Sequence, residues 1–263
     1  MPSMWAIDIA GVLSRHGRPS GIHNFLSGWF AESRTEHRDR KNYSLRGRID
    51  DPAGQGMRVV LGTTSDELAE SIGRIRRGTR IPFGTSGRHI GLVIDSPTLL
   101  TSAGWDELAR PRQANQWRIW LGTPLAFRRN GVDQPWPAPF QTLAAMHRRW
   151  PAESVPIDAD EIDLLARGVA VTDVELRTSL CDWPPASVWG AEGMIEWTWL
   201  GARGDAMFPS GEASAVDSLL RLAEFCGVGA YPQHGMGSVT IDALRANPRN
   251  PRCQAVPVTH HTD

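Results

Sequence analysis

Residues 43–78 read YSLRGRIDDPAGQGMRVVLGTTSDELAESIGRIRRG. Two short runs suited to extended backbone, 43–50 and 57–62, are separated by Pro52, Gly54 and Gly56. Proline and glycine punctuate the chain there, so the runs read as two strands joined by a loop. The apolar spacing then lengthens: Leu68, Ile72 and Ile75 share one face of a helix, with Ser65 placed to cap it and Gly78 to stop it. Working outward, residues 4–13 (MWAIDIAGVL) read as a strand. Ile22, Phe25, Leu26 and Trp29 then set a helix over 20–31, with Ser20 as its cap. On the other side, HIGLVIDSP (89–97) reads as a strand. The order is β-α-β-β-α-β, the ferredoxin-like arrangement.

The order then repeats. WRIWLGTP (117–124) reads as a strand, and 139–150 as a short helix ending in His147, Arg148 and Arg149. Strands follow at 169–180 and 193–202. A helix over 213–225 turns Val216, Leu219, Leu220 and Ala223 inward, and 236–241 is the last strand. The expected fold is α+β, two tandem ferredoxin-like domains over 1–112 and 113–246, with the linker near 110–116. Residues 247–263 are rich in Pro, Asn and Thr without periodicity, and are expected to be a disordered tail.

The hydrophobic fraction of 41% supports a buried core. No run of eighteen apolar residues exists, which argues against a membrane-spanning helix. The N-terminal residues lack the features of a signal peptide and read as a first strand. Cys181, Cys226 and Cys253 are far apart and odd in number, which points away from a disulfide framework and towards a reducing, cytoplasmic setting. Net charge is only −1, but residues 1–150 hold 21 Lys+Arg against 13 Asp+Glu, and residues 151–263 hold 7 against 16. That asymmetry suits a polyanion bound to the first half, or simply scattered solvated charge. Lys41 is the single lysine. The other basic residues are arginines, which fork onto phosphate oxygens.

Phe225 to Ile241 reads FCGVGAYPQHGMGSVTI, with Gly227, Gly229, Gly235 and Gly237 inside eleven residues. Glycines leave the backbone bare, and bare amides approach phosphates closely. A Walker loop is excluded because no lysine is present here. A dinucleotide fingerprint is excluded by Pro232 and by the helix-to-strand direction. A helix C-cap would explain Gly227 but not the paired spacing.

This motif resembles the glycine-rich signature of the RAMP proteins of CRISPR systems, and most of all their pre-crRNA processing endoribonuclease. WRIWLGTPLAFRRNG (117–131), DQPWPAPFQTLAAMHRRW (133–150) and SAGWDELAR (102–110) are similar to stretches of that family. The resemblance implies two tandem ferredoxin-like domains. It also implies cleavage of CRISPR repeat RNA without a metal or other cofactor. There the 2′-OH attacks the adjacent phosphate and leaves a 2′,3′-cyclic phosphate and a 5′-OH.

Such chemistry needs a base, an acid and positive charge on the phosphorane. The family usually carries its histidine at the first helix, where His23 stands, with His16 as the alternative. The positive end of a helix favours the neutral imidazole that a base requires. Lys41 and Tyr43 match a lysine and tyrosine that some members place near that histidine; here they also fit a helix-end charge and a strand aromatic. For gripping RNA, the candidates are the backbone at Gly227, Gly229, Gly235 and Gly237, Tyr231 as a stacking face, and Arg128 with Arg129. Arg74 and Arg77, within the run Arg74, Arg76, Arg77, Arg80, suit either an RNA stem or a solvated helix end. No metal-ligand spacing appears. The implied partner is CRISPR repeat RNA or crRNA, with no membrane; effector-complex proteins and a homodimer stay open as further partners. A non-catalytic crRNA-binding subunit, or a module for a small phosphorylated ligand, are the alternative readings.

Overall fold

The computed structural model describes residues 1–11, 22, 23, 26, 43–50, 52, 53, 55–83, 89–112, 114–183, 186–201 and 211–244. The expected tail and most of the expected first helix lie outside the described residues; Ile22, His23 and Leu26 are helical.

The first sheet is built on β1 (Ser3–Ala10), β2 (Tyr43–Asp50) and β3 (Gly56–Thr63). It continues through β4 (Arg80–Phe83), β5 (His89–Val93) and β6 (Thr98–Ser102). Its order is β2-β3-β1-β5-β4, with β6 also on β1. The fourth ferredoxin position is therefore shared: β5 pairs with Ile9 and Ala10, and β6 with Ser3 to Ala6. The expected strand over 89–97 is corrected to this pair. Pro97 has no N–H to give a ladder, and the chain re-enters the sheet after it. Strand β4 escaped the sequence reading because Pro82 sits in it, which only an edge strand tolerates.

Side chains of successive strand residues alternate between faces, so Ile7, Ile9, Val59 and Leu61 meet on one side of the sheet. Helix α1 (Asp66–Gly73) covers them with Leu68 and Ile72, and Ile22 and Leu26 join from the first helix. Each such side chain contributes roughly 1.5–3 kcal/mol by leaving water. The Ser65 hydroxyl caps α1 by accepting from the Leu68 amide at 3.3 Å. The helix ends at Gly73, earlier than the expected stop at Gly78, so Ile75 packs against the core from the turn that follows.

The second sheet uses β7 (Gln116–Leu125), β10 (Val169–Trp183), β11 (Ala186–Trp199) and β12 (Val239–Leu244) in the order β10-β11-β7-β12. Between β7 and β10 lies a small hairpin, β8 (Phe127–Arg129) and β9 (Val132–Gln134). Residues Phe127–Gly131 are thus part of a hairpin. Asn130 at φ 51° and Gly131 at φ 80° make its turn, the left-handed pair that matches strand twist. Strand β11 starts seven residues earlier than expected because its glycines mark close approach, not a loop. A Cβ on Gly190 would lie 2.6 Å from Pro124 Cβ, and one on Gly193 2.1 Å from the Glu175 carbonyl oxygen.

Helices α2 (Trp105–Ala109), α3 (Pro139–His147), α4 (Ile162–Arg167) and α5 (Gly211–Cys226) complete the chain. Leu143, Met146, Val216, Leu219 and Leu220 bury against Trp117, Ile195 and Trp197. No helix among the described residues is long and apolar enough to cross a membrane.

The segment joining the two sheets is tied to α5. Asp217 is 0% exposed, and its carboxylate accepts from Arg112 Nε at 2.7 Å and Nη2 at 2.8 Å, and from Trp117 Nε1 at 3.0 Å. Arg221, one turn along α5, pairs with it at 3.1 Å. The Arg221 guanidinium also donates to the carbonyls of Glu107, Leu108 and Arg110. A carboxylate removed from water persists as an anion only when paired in this way. Asp217→Ala strands two guanidinium groups, one of them nearly buried, and is expected to lower the unfolding free energy by about 3 kcal/mol. The denaturant midpoint measures it; a loss below about 1 kcal/mol, the worth of an exposed pair, would show that the carboxylate is dispensable.

Candidate active site

The glycine-rich segment follows α5. The Gly227 amide caps the helix by donating to the Ala223 carbonyl at 2.9 Å. The two arms of the loop then close on each other, the Val228 amide donating to the Gly237 carbonyl at 2.8 Å. Gly237 has φ +66°, and a Cβ there would fall 1.7 Å from the Val228 carbonyl oxygen, so no other residue fits. Both arms are also stitched to the end of β7. The Ala230 amide donates to Ala126 at 2.8 Å, and the Gly237 amide to Pro124 at 2.9 Å. Between the arms, Pro232–His234 form a single 3-10 turn, closed by the Gly235 amide on the Pro232 carbonyl at 3.1 Å.

This arrangement corrects the expectation of bare amides. Those of Gly227, Gly235 and Gly237 are bonded within the chain, and all three residues are buried; Gly229 is half-buried. The glycines let backbone pass close to backbone, and the partly exposed side chains of the loop include Tyr231, Gln233 and His234.

Two arginines support the loop from below. Arg149 Nη1 donates to the carbonyls of Cys226 and Gly227, the groups a helix end leaves without a partner. Arg46, on β2, donates from Nη2 to the Val239 carbonyl at 2.7 Å. Burial pushes its guanidinium down to about 10, which leaves it charged at neutral pH. Ser44 Oγ donates to the Phe225 carbonyl at 2.9 Å, and Ser238 Oγ to the Arg46 carbonyl at 2.8 Å. These bonds dock the first sheet against the loop that ends α5.

At that seam four rings gather. Tyr43, at the start of β2, places its hydroxyl 3.0 Å from His23 Nδ1. The His23 and His234 ring centroids are 4.0 Å apart, tilted by 45°. Tyr231 lies edge-on to His234 with centroids 6.3 Å apart. The Tyr231 hydroxyl accepts from Arg128 Nη1 at 2.7 Å, which ties in the hairpin β8–β9. If Nδ1–H of His23 donates to the Tyr43 oxygen, Nε2 carries a lone pair, the form of a general base. Imidazole, phenol and guanidinium together can move protons, hold a ribose and meet a phosphate. Among the described residues no three His, Cys, Asp or Glu side chains gather as metal ligands.

The remaining sequence candidates are placed as follows. Arg129 is exposed beside Arg128 on β8. Arg74 is exposed after α1 and pairs with Glu70 at 2.7 Å, and Arg77 is exposed in the next turn. Among the described residues, neither shares a hydrogen bond or ion pair with the ring cluster. His16 and Lys41 lie outside the described residues. The sequence reading passed over His234. Its signal was being the one histidine inside the glycine-rich segment, between Pro232 and Gly235.

Residues 119–239 match the family model described as CRISPR-associated endoribonuclease Cas6. Among solved structures, a Cas6 (TTHA0078) product complex superposes with a TM-score of 0.73 at 18% identity, over 92% of this chain and 99% of that one. A Cas6 (TTHB231) product complex gives 0.71 at 19% identity, over 92% and 100%. Thermus thermophilus Cas6 (TTHB231) gives 0.64 at 18% identity, over 92% and 98%. At these identities the superpositions establish the fold, two tandem ferredoxin-like units. No curated protein matches the chain. Residues 119–239, a little under half of the chain, are thus similar to the family of CRISPR-associated endoribonuclease Cas6.

Proposed function

We propose that this protein cuts CRISPR repeat RNA in precursor crRNA without a metal, with His23 as general acid/base. The 2′-OH attacks the neighbouring phosphorus and the P–O5′ bond breaks, which leaves a 2′,3′-cyclic phosphate and a 5′-OH. The observation that carries this reading is the 3.0 Å contact between His23 Nδ1 and the Tyr43 hydroxyl, at the seam where the glycine-rich loop ends. A tyrosine hydroxyl on one ring nitrogen fixes the orientation and tautomer of the imidazole. Lys41, two residues before Tyr43 in the sequence, is the candidate for charge on the phosphorane. Tyr231 offers a stacking face held by Arg128, while Arg129, Arg74 and Arg77 offer exposed charge to the backbone. The half-exposed Gly229 is the place where the loop's main chain can meet RNA. In this reading the chain is two domains, 1–112 and 113–246, with RNA along their seam. The similarity to Cas6 structures solved with product and with a substrate mimic supports an RNA ligand.

The purified protein is expected to cut a repeat RNA from its own genome's CRISPR array at one position in EDTA. His23→Ala should slow single-turnover cleavage by roughly 10²–10⁴-fold while binding persists. Tyr43→Phe, which removes only the hydroxyl, should slow it by about tenfold, the value of one neutral hydrogen bond. Retention of full activity by His23→Ala would overturn the assignment. Binding by the unaltered protein with no cutting at all would favour a non-catalytic crRNA-binding subunit.

The second expectation concerns grip. Arg128→Ala should weaken binding to every repeat sequence alike and flatten the plot of log K against log salt by roughly 0.7–1. An unchanged slope would remove Arg128 from the phosphate contacts.

A further inference from the structure

We infer that His234 is a second catalytic residue: it gives its proton to the departing 5′ oxygen while His23 takes the proton of the attacking 2′-OH. This rests on the reading of His23 above and adds to it a residue from the opposite end of the chain.

Two observations converge on His234. Its ring touches that of His23, with centroids 4.0 Å apart, so both imidazoles face the same small volume at the seam. Its backbone is held rigidly: the His234 amide donates to the Tyr231 carbonyl at 3.0 Å, and Gly235, in the left-handed region at φ +89°, ends the turn immediately after it. The loop arms on either side are locked by the Val228–Gly237 and Gly237–Pro124 bonds. A side chain on such a support keeps its geometry without an ordering cost at the moment of reaction. The reaction needs an acid and a base at once, and two imidazoles side by side can supply both.

The atoms balance. The 2′-O–P bond forms as the 2′ proton passes to His23. The P–O5′ bond breaks as the proton of His234 passes to O5′. The pair still holds one proton, and exchange with water resets it.

The test uses the full chain and two synthetic repeat RNAs, one natural and one with sulfur replacing the bridging 5′ oxygen at the cut. A thiolate leaves without needing a proton, so an enzyme lacking only its acid should recover on the sulfur substrate. His234→Phe keeps an aromatic ring against His23. It is expected to cut the natural RNA at least about 10²-fold more slowly than the unaltered protein, to bind it equally well, and to approach the unaltered rate on the sulfur RNA. His23→Ala should stay slow on both. The inference is overturned if His234→Phe cuts natural RNA at the full rate, or stays slow on both substrates, since a packing role would give the latter. His234→Gln, measured in the same way, decides the matter if the Phe variant folds poorly. If His23→Ala cuts natural RNA normally, the earlier reading of His23 fails instead, and the two failures are told apart.

Discussion

A buried carboxylate cannot stand alone, and the placement of everything at the seam follows from how Asp217 is satisfied. Its partners come from the connecting segment (Arg112), from β7 (Trp117) and from its own helix (Arg221). Together they fix α5 relative to the first strand of the second sheet and to the chain arriving from the first. Since α5 runs directly into the glycine-rich segment, its position sets where Tyr231 and His234 emerge. Removing the charge therefore acts at a distance, through the helix, on residues that Asp217 never touches.

The end of α5 is the second place where unsatisfied polar groups dictate structure. A helix leaves its last carbonyls without partners. Here those of Phe225, Cys226 and Gly227 are taken by Ser44 and Arg149. Positive charge beneath the terminus, from Arg149 and the buried Arg46, complements the helix dipole. On the far side of α5, Glu224 accepts from the Ile241 amide, and burial pushes its carboxyl above the usual range. The same few hydrogen bonds close the helix, bind the loop and join the two sheets.

Local pattern carried much of this architecture. Apolar spacing located α1 and α5, Ser65 was recognisable as a cap, and the twofold β-α-β-β-α-β order stood in the run of strands and helices. What sequence could not convey were distances between residues far apart in the chain. Gly190 looks like a loop residue until Pro124 is seen against it. The glycines at 227–237 suggested amides open to a ligand, yet three of the four are bonded inside the protein. The Asn130-Gly131 turn was written in the sequence, but three-residue strands are too short to show alternation. His23 and Tyr43 were singled out through a family resemblance. The contact of His23 with His234 joins two points 211 positions apart, and no periodicity records such a pairing.

That contact has a consequence for biosynthesis. His23 leaves the ribosome 211 positions before His234, and the loop that carries the latter is closed only once Gly237 and the strand after it have been added. A nascent chain thus carries one imidazole of the pair while its counterpart is still unmade. A chain cut short before that loop never brings the two rings together, so any property of the pair requires the glycine-rich loop.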